Sequence, residues 1–116
     1  MIFARYLAHG EISYGVLDDS LLREITTTPF EPFEITNHTH DISDVNVLVP
    51  CEPAKILAVG LNYRSHLQKD VDPLEKPLIF FKTTSSLIGS DEFIIRPRSY
   101  SGRLDAEGEL VVIIKE

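Results

Sequence analysis

The chain has 116 residues, of which 43% are hydrophobic and 25% charged, and its 11 basic and 18 acidic side chains give a formal net charge of −7. This length holds one domain, or a small domain and the start of another. A negative field of this size repels phosphate backbones, which argues against nucleic acid as a main partner. The sequence contains no apolar run near the roughly 18–20 residues that span a bilayer and no signal-peptide pattern, so we expect a soluble cytoplasmic protein.

The N-terminal part has the pattern of a meander of three short strands. Apolar runs alternate with turns that contain Gly or Asp, which are hairpin signals. The predicted strands cover residues 2–7, 12–17 and 21–25. Between residues 26 and 40, Pro29 and Pro32 argue against a central strand or a helix interior, so we predict a loop or a short helix there.

A boundary between two domains is predicted at Pro50 and Pro53. Residues 1–50 would form a small β-rich domain, and residues 51–116 the beginning of a second domain. In the second domain, continuous apolar runs are typical of buried strands, and Ser65 predicts the start of a short helix. The strands predicted there cover residues 55–60, 78–81, 93–95 and 104–114.

Three acidic residues open the last predicted strand. Side chains alternate faces along a strand, so Asp105, Glu107 and Glu109 would share one face, with neighbouring carboxylates about 6–7 Å apart. A divalent cation would offset their repulsion, and carboxylate oxygens are hard ligands that suit Mg²⁺, Mn²⁺ or Ca²⁺. The alternative is a strand with one solvated, charged face. The apolar residues 111–114 that follow favour the metal interpretation, since unpaired charges next to a core are costly.

His66 follows the predicted strand 55–60 and stands close in sequence to Asn62, Tyr63 and Arg64. Polar side chains just past a buried strand often form sites in mixed α/β folds. Because an unperturbed histidine titrates near neutral pH, His66 is a candidate general base. The alternative is an ordinary loop histidine.

A lysine and two serines form the third candidate group. Lys82, Ser85 and Ser86 would hold a substrate carboxylate through charge-assisted and neutral hydrogen bonds. The alternative is a polar connection between a strand and a turn.

Two further clusters have simpler interpretations. His38 and His40 lie in the predicted loop without a second group of ligands, so we expect exposed side chains rather than a metal site. Three arginines in the last quarter of the chain either attract an anionic substrate or form a solvated rim. They are Arg96, Arg98 and Arg103.

Segments 60–66, 80–89 and 105–112 resemble, in this order, three motifs of the fumarylacetoacetate hydrolase family. They are similar to its G-x-N-Y-x-x-H stretch, its F-x-K-x-x-S-S-L-I-G segment and its D-x-E-x-E-L-x-V strand. Residues 1–50 also resemble the small N-terminal domain that precedes the catalytic domain in many members. The resemblance implies an α+β fold that is mainly β, a catalytic domain built as a β-roll, and a homodimer in the full-length form.

The resemblance also implies a site and a chemistry. It implies Mg²⁺ or Mn²⁺, or else Ca²⁺, held by Glu107 and Glu109 together with an aspartate farther downstream. Family members hydrolyse, decarboxylate or isomerise small oxo-acids, such as acylpyruvates and 2-oxo-dienoates, through an enolate that the metal stabilises. His66 would activate water or move a proton. The residues implied to bind the substrate are Asn62, Tyr63, Arg64, Lys82, Ser85 and Ser86.

The chain departs from the family pattern in two places. The family's histidine often has a glutamate partner three residues on, where this chain has Lys69, so we hypothesise a His66–Asp70 pair on one helix face. The third metal carboxylate and a downstream lysine have no counterpart before Glu116. Since Mg²⁺ gains little from few ligands, we expect the 116-residue chain alone to bind metal weakly and to turn over little or nothing. The alternative is a non-catalytic module that pairs with another chain through its exposed last strand.

Overall fold

The computed structural model describes residues 1–63 and 75–115. Within these ranges the regular structure is strands and two short 3-10 turns, so the described part of the chain is mainly β, as predicted. The strands are β1 Ile2–Ala8, β2 Glu11–Asp18, β3 Leu21–Ile25, β4 Ile35–Asp41, β5 Asn46–Val47, β6 Ile56–Gly60 and β7 Leu78–Lys82. The 3-10 turns are Ile42–Asp44 and Thr84–Ser86.

The N-terminal strands form one antiparallel sheet with the order β4-β3-β2-β1-β5. Strands β1 and β2 are joined by the two residues His9 and Gly10, whose φ angles are 51° and 87°. Positive φ at both positions is what a tight type I′ hairpin turn requires, and its twist matches that of the flanking strands. The predicted meander of three strands is therefore confirmed.

The sequence prediction for residues 26–40 is wrong in its second half. Strand β4, Ile35–Asp41, pairs with β3, with Leu22 opposite His40 and Ile25 opposite Ile35. Both prolines that argued against a strand lie before Ile35, so they remove no hydrogen bond from this ladder. The register shifts between Arg23 and Ile25, a β-bulge that lets the chain enter the sheet after its Pro-containing loop.

Tyr6 and Leu22 are fully buried at the centre of this sheet. The ladders place Tyr6 opposite Ser13 and Leu22 opposite Leu17. Ser13 and Leu17 lie four residues apart on β2, so the side chains of Tyr6 and Leu22 point to the same face of the sheet. Gly15 lies between them, and a Cβ there would come within 3.2 Å of Cε1 of Tyr6. The absence of a side chain at Gly15 therefore makes room for the tyrosine ring.

Strands β6 and β7 form a separate two-stranded antiparallel ribbon. Both strands were predicted, but their prediction as buried strands is wrong for the described structure. Leu57 and Phe81, which lie opposite each other, are 58% and 76% exposed. Val59 and Ile79 share the same exposed face. A ribbon of two strands has two faces, and the described residues of this unit supply no second layer to cover this one.

No strand forms in the described residues 88–115, although strands were predicted at 93–95 and 104–114. Phe93 and Leu110 are 87% and 89% exposed. A strand exists only with a hydrogen-bonded neighbour, and the described residues provide none for this part of the chain. In the described structure, therefore, no strand holds Asp105, Glu107 and Glu109 on one face as the alternation predicted. We refer to residues 104–115 below as the acidic segment.

The chain forms two compact units, one of Met1–Leu48 with Ile88–Glu116 and the other of Val49–Leu87. These units follow contacts rather than chain order, and the division into domains of residues 1–50 and 51–116 stays a prediction. Among residues 1–63 and 75–115, no helix has the length and apolar character needed to cross a membrane.

Candidate active site

The first group of predicted site residues follows the end of strand β6. Leu61 has a φ of 53°, a left-handed conformation that turns the chain out of the strand immediately after Gly60. Asn62 and Tyr63 follow, and Tyr63 is 44% exposed. The strand is therefore where the sequence predicted it, with Asn62 and Tyr63 just past its end. Arg64, the helix predicted from Ser65, and the His66–Asp70 pair lie outside the described residues and stay predictions.

The antiparallel register separates Lys82 from this group along the ribbon. Gly60 lies opposite Leu78, whereas Lys82 lies opposite Ile56 at the other end. Four residues of strand correspond to about 13 Å. The ladder by itself therefore does not bring Lys82 beside Asn62, although both were predicted to contact one substrate.

The two serines predicted to bind substrate donate their hydroxyl protons within their own 3-10 turn. Oγ of Ser86 donates to the backbone oxygen of Thr83 at 2.6 Å, and Oγ of Ser85 donates to Oγ1 of Thr83 at 3.1 Å. A carboxylate accepts hydrogen bonds and donates none when ionised, so these hydroxyls would first have to leave their present acceptors. Of Lys82, Ser85 and Ser86, the exposed Lys82 is therefore the side chain best suited to bind an anion in this arrangement.

The predicted metal ligands Glu107 and Glu109 are both exposed on the acidic segment. Asp105, the third acidic residue, forms an ion pair with Nε of Arg103. Within residues 1–63 and 75–115, no group of three or more His, Cys, Asp or Glu side chains is placed to hold a metal ion. The donors are nevertheless of the right kind, because Mg²⁺ is often bound through one or two carboxylates plus water and substrate oxygens. The pair thus fits part of a ligand set, and its assignment stays a prediction.

The arginines near residue 100 do not act as one basic cluster. Arg96 donates to backbone oxygens of Tyr100 and Gly102, both at 2.9 Å. Arg103 is paired with Asp105, while Arg98 is exposed and contacts none of the described polar groups. Sequence reasoning missed Tyr100 and Gly102 here, and the signal that was available is the close spacing of an arginine, a tyrosine and a glycine.

A second polar cluster lies on the N-terminal sheet. The hydroxyl of Tyr6 is 3.5 Å from Oε2 of Glu24, and Nδ1 of His38 is 3.3 Å from Oε1 of the same carboxylate. Burial, and then the negative charge of Glu24, raise the pKa of Tyr6 to about 12. His40 packs edge-on against the Tyr6 ring, with centroids 5.5 Å apart. His38 is exposed, as predicted, but both histidines stand on a strand rather than in a loop.

Comparison with known proteins identifies the class to which this fold and these motifs belong. Residues 55–116 match the family model described as fumarylacetoacetate (FAA) hydrolase C-terminal, and residues 1–50 match the model described as Rv2993c-like, N-terminal. The chain belongs to the fumarylacetoacetate hydrolase family. The resemblance found in the sequence is confirmed.

Several relatives match almost the whole chain. An uncharacterized protein of Archaeoglobus fulgidus is 37% identical over 118 residues, which are 99% of this chain and 42% of that protein. The human protein named oxaloacetate tautomerase FAHD2B, mitochondrial, is 32% identical over 113 residues, which are 95% of this chain and 32% of that protein. The chain therefore spans less than half the length of either relative.

Solved structures agree with the fold. A protein of Mycobacterium abscessus superposes with a TM-score of 0.64 and 30% identity, over 76% of this chain and 35% of that one. The 2-hydroxyhepta-2,4-diene-1,7-dioate isomerase of Mycobacterium marinum superposes with a TM-score of 0.58 and 22% identity, over 74% of this chain and 33% of that one. The mainly β fold is that of the family.

Proposed function

We propose that the protein to which this chain belongs is a divalent-metal-dependent enzyme that isomerises, hydrolyses or cleaves small oxo-acids. The observation that carries the proposal is membership of the family over residues 55–116, the region that holds all three motifs. The human relative named as an oxaloacetate tautomerase makes keto–enol conversion of a small oxo-acid the first reaction to test. Acylpyruvates and 2-oxo-dienoates are the next substrates.

Glu107 and Glu109 are the proposed ligands for Mg²⁺ or Mn²⁺, with Ca²⁺ as the third candidate. Both residues are exposed, and carboxylate oxygens are the ligands that these ions prefer. A bound divalent cation would supply charge stabilisation to a substrate oxygen that becomes negative as a C–H or C–C bond breaks. Two carboxylates leave most positions of an octahedral ion to water and substrate, so this pair alone holds the ion weakly.

His66 is the proposed general base, with Asp70 as its partner. A carboxylate four residues along a helix would orient the imidazole and favour its protonated form, which is the form that results when it takes a substrate proton. Asn62, Tyr63 and Arg64 would contact the substrate beside this base. Homodimer formation and a cytoplasmic location are further parts of the proposal.

Lys82 is proposed to hold the substrate carboxylate. Its ammonium group is exposed at the end of β7, where water screens a charge–charge contact. The attraction between Lys82 and a substrate carboxylate becomes strong only where the surroundings exclude water, because a lower dielectric constant increases it. Ser85 and Ser86 would join Lys82 by rotating their hydroxyls away from Thr83.

A chimera tests the proposal. The 116 residues replace the matching part of the Archaeoglobus fulgidus relative, and the purified protein is assayed for keto–enol conversion of oxaloacetate and for acylpyruvate hydrolysis, with Mg²⁺, Mn²⁺ or a chelator. We expect metal-dependent turnover that is lost in the double variant Glu107→Gln, Glu109→Gln and in His66→Asn. Glu75→Gln, which removes an exposed carboxylate outside the site, is the matched control and retains turnover.

Circular dichroism and size-exclusion chromatography establish that each chimera is folded before activity is compared. A folded chimera whose turnover survives both the chelator and the double variant would contradict the metal assignment. A folded chimera with no turnover on any of these oxo-acids would contradict the proposed chemistry.

A second candidate function is a non-catalytic module that pairs with another chain. The observation that favours it is the exposure of the apolar end of the acidic segment, where Leu110 and Ile114 are 89% and 85% exposed. An apolar segment with high β-propensity that is not paired in a sheet tends to pair with a strand of another chain. Size-exclusion chromatography with light scattering at rising concentration tests it: a monomer at all concentrations argues against this module.

A further inference from the structure

Leu61 holds a backbone conformation that its side chain disfavours. Its φ of 53° lies in the left-handed region, where the Cβ of an L-residue crowds the carbonyl oxygen that follows. Among residues 1–63 and 75–115, the other non-glycine residues with positive φ are His9, Asp19 and Asp91. Histidine and aspartate are enriched in this conformation, whereas for a bulky residue such as leucine it is an outlier.

A tight turn accounts for each of the other three residues. His9 and Asp19 lie in the two-residue hairpin turns that follow β1 and β2. Asp91 lies in a turn across which the backbone N–H of Gly89 donates to Oε2 of Glu92 at 2.9 Å. Because such turns commonly place a residue at positive φ, the conformation of these three residues follows from local turn geometry.

Neither a hairpin nor burial accounts for the conformation of Leu61. Strand β7, which pairs with β6, begins only at Leu78, so the bend at Leu61 is not a tight hairpin turn. Leu61 is 50% exposed, so burial of its side chain does not explain why it stays in this conformation. Residues held in sparsely populated backbone conformations cost free energy and cluster at functional sites. The bend therefore indicates a role for the backbone rather than for the leucine side chain.

The bend sets the course of the chain as it leaves the ribbon. Gly60 is the last residue of the ladder and lies opposite Leu78, and a Cβ at Gly60 would come within 3.2 Å of Cδ2 of Leu78. The ladder thus defines the backbone up to Gly60, and the φ angle of Leu61 decides the direction in which Asn62 and Tyr63 continue. Asn62 and Tyr63 each make an interaction of their own, so the bend sets the course of their backbone rather than every detail of their side chains.

We propose that Leu61 is a positioning residue whose left-handed backbone directs Asn62 and Tyr63 towards the substrate. This inference rests on the proposed function, in which these two residues contact a small oxo-acid. Leu61 acts through its backbone and is not placed in contact with the substrate. A residue that accepts the left-handed conformation should therefore replace Leu61, and a residue that resists it should not.

The test compares three substitutions of Leu61 in the chimera with the Archaeoglobus fulgidus relative. Glycine and asparagine adopt the left-handed conformation readily, so we expect Leu61→Gly and Leu61→Asn to keep kcat/KM within about threefold of the unsubstituted chimera. The β-branched side chain of valine resists this conformation. In Leu61→Val we expect KM for the oxo-acid to rise about 10-fold or more, because a small misplacement of substrate-binding groups has a large effect.

The order of the three variants separates the backbone from the side chain. Valine is closest to leucine in size and apolar character, so a packing role of the side chain predicts the reverse order, with Leu61→Gly and Leu61→Asn most impaired. Loss of folded protein lowers the apparent kcat and leaves KM unchanged, so KM is the decisive readout. Circular dichroism establishes that each variant is folded. Should Leu61→Val not fold, a loss of turnover in folded Leu61→Gly or Leu61→Asn still contradicts the inference.

Asp19→Val is the matched control. It places the same β-branched residue at another left-handed position, with a φ of 54°, in the turn between β2 and β3 of the other unit. We expect a lower thermal stability in Asp19→Val and an unchanged KM, because the strain there does not redirect Asn62 or Tyr63.

The outcomes separate this inference from the proposed function. No turnover by the folded, unsubstituted chimera overturns the proposed function, and this inference with it. Where the chimera turns over, a KM of Leu61→Val equal to that of the unsubstituted chimera overturns the positioning role alone. A KM that rises as much in Leu61→Gly, Leu61→Asn or Asp19→Val as in Leu61→Val also overturns it, because the left-handed backbone at position 61 would then not be the cause.

Discussion

Lys115 forms an ion pair with Glu31: its Nζ lies 2.7 Å from Oε1 of the glutamate and also donates to the backbone oxygen of Phe30 at 3.0 Å. The contact joins the end of the acidic segment to a turn that lies 85 residues earlier in the chain. Both side chains are about half exposed, so water screens the pair. The pair therefore holds the end of the acidic segment in place but contributes little to the free energy of unfolding.

Substitution of Lys115 by Met should therefore loosen the segment more than it destabilises the fold. We expect the free energy of unfolding to fall by at most about 1 kcal/mol, as for other exposed pairs. Amide hydrogen exchange at residues 110–114 should become faster. Lys55→Met, an exposed lysine of the other unit, is the control and should leave this exchange unchanged. Equal exchange rates in both variants would show that the pair has no effect.

Gly15→Ala should destabilise the N-terminal sheet. The added Cβ would lie 3.0 Å from the backbone oxygen of Arg23 and 3.2 Å from Cε1 of Tyr6. A backbone oxygen in a ladder does not move easily, so we expect a loss of about 1–3 kcal/mol, the usual cost of overpacking. Urea unfolding measures it. Gly108→Ala, where a Cβ would meet nothing within 4 Å, is the control with no steric cost.

Tyr6 should make the sheet sensitive to alkali. Its folded-state pKa is raised from 10.0 to about 12, so the folded chain holds this proton more tightly than the unfolded chain does. Stability from this group is therefore fully present below pH 10 and is lost as the pH rises towards 12. Urea midpoints across this window should fall in the unsubstituted chain and fall less in Tyr6→Phe. Parallel curves for the two proteins would exclude Tyr6 as the cause.

Asp41 should contribute the opposite pH dependence. The backbone N–H of Ser43, followed by the hydroxyls of Ser43 and Ser20, donates to this carboxylate and lowers its pKa below 3.8. The stability it confers is present above that value and is lost as the pH falls through the lowered folded-state pKa. The NMR chemical shift of its carboxyl carbon should show that Asp41 titrates at a lower pH than an aspartate in an unstructured peptide. In Ser43→Ala its titration should move up, and an unchanged midpoint would dismiss the hydroxyl's contribution.

The 116-residue chain should bind Mn²⁺ weakly. Glu107 and Glu109 supply two carboxylates, and an octahedral ion would keep water at its other positions. Isothermal titration should give a shallow, unsaturated curve that flattens further in Glu107→Gln. Tight, stoichiometric binding would contradict this expectation and would require further ligands from this chain.

Several elements could be predicted because their causes are local. The hairpin of β1 and β2 is encoded by two apolar runs around His9 and Gly10, where positive φ is favoured by the residues themselves. Strands β6 and β7 could be predicted from their apolar runs, but not their exposure. Exposure depends on whether another layer covers the ribbon, and no pattern within five residues of strand contains that information.

Strand β4 was missed for a related reason. Residues 35–41 carry His, Thr and Asn rather than an apolar run, and they form a strand because β3 provides an edge with which they pair. Pairing by an edge is decided by register between segments, which local propensity does not determine. The acidic segment is the opposite case: its sequence has the pattern of a strand, but among the described residues no strand pairs with it.

The family, the motifs and the chemical character of the proposed ligands are readable in the order of residues alone, because each depends on side-chain type and spacing. The distance along the ribbon between Lys82 and Asn62, the engagement of Ser85 and Ser86 with Thr83, and the bridging of two carbonyl groups by Arg96 became visible in three dimensions. Each of these depends on which backbone groups come within hydrogen-bonding range of one another. That range is set by strand register and loop closure, and neither is written in any single stretch of the chain.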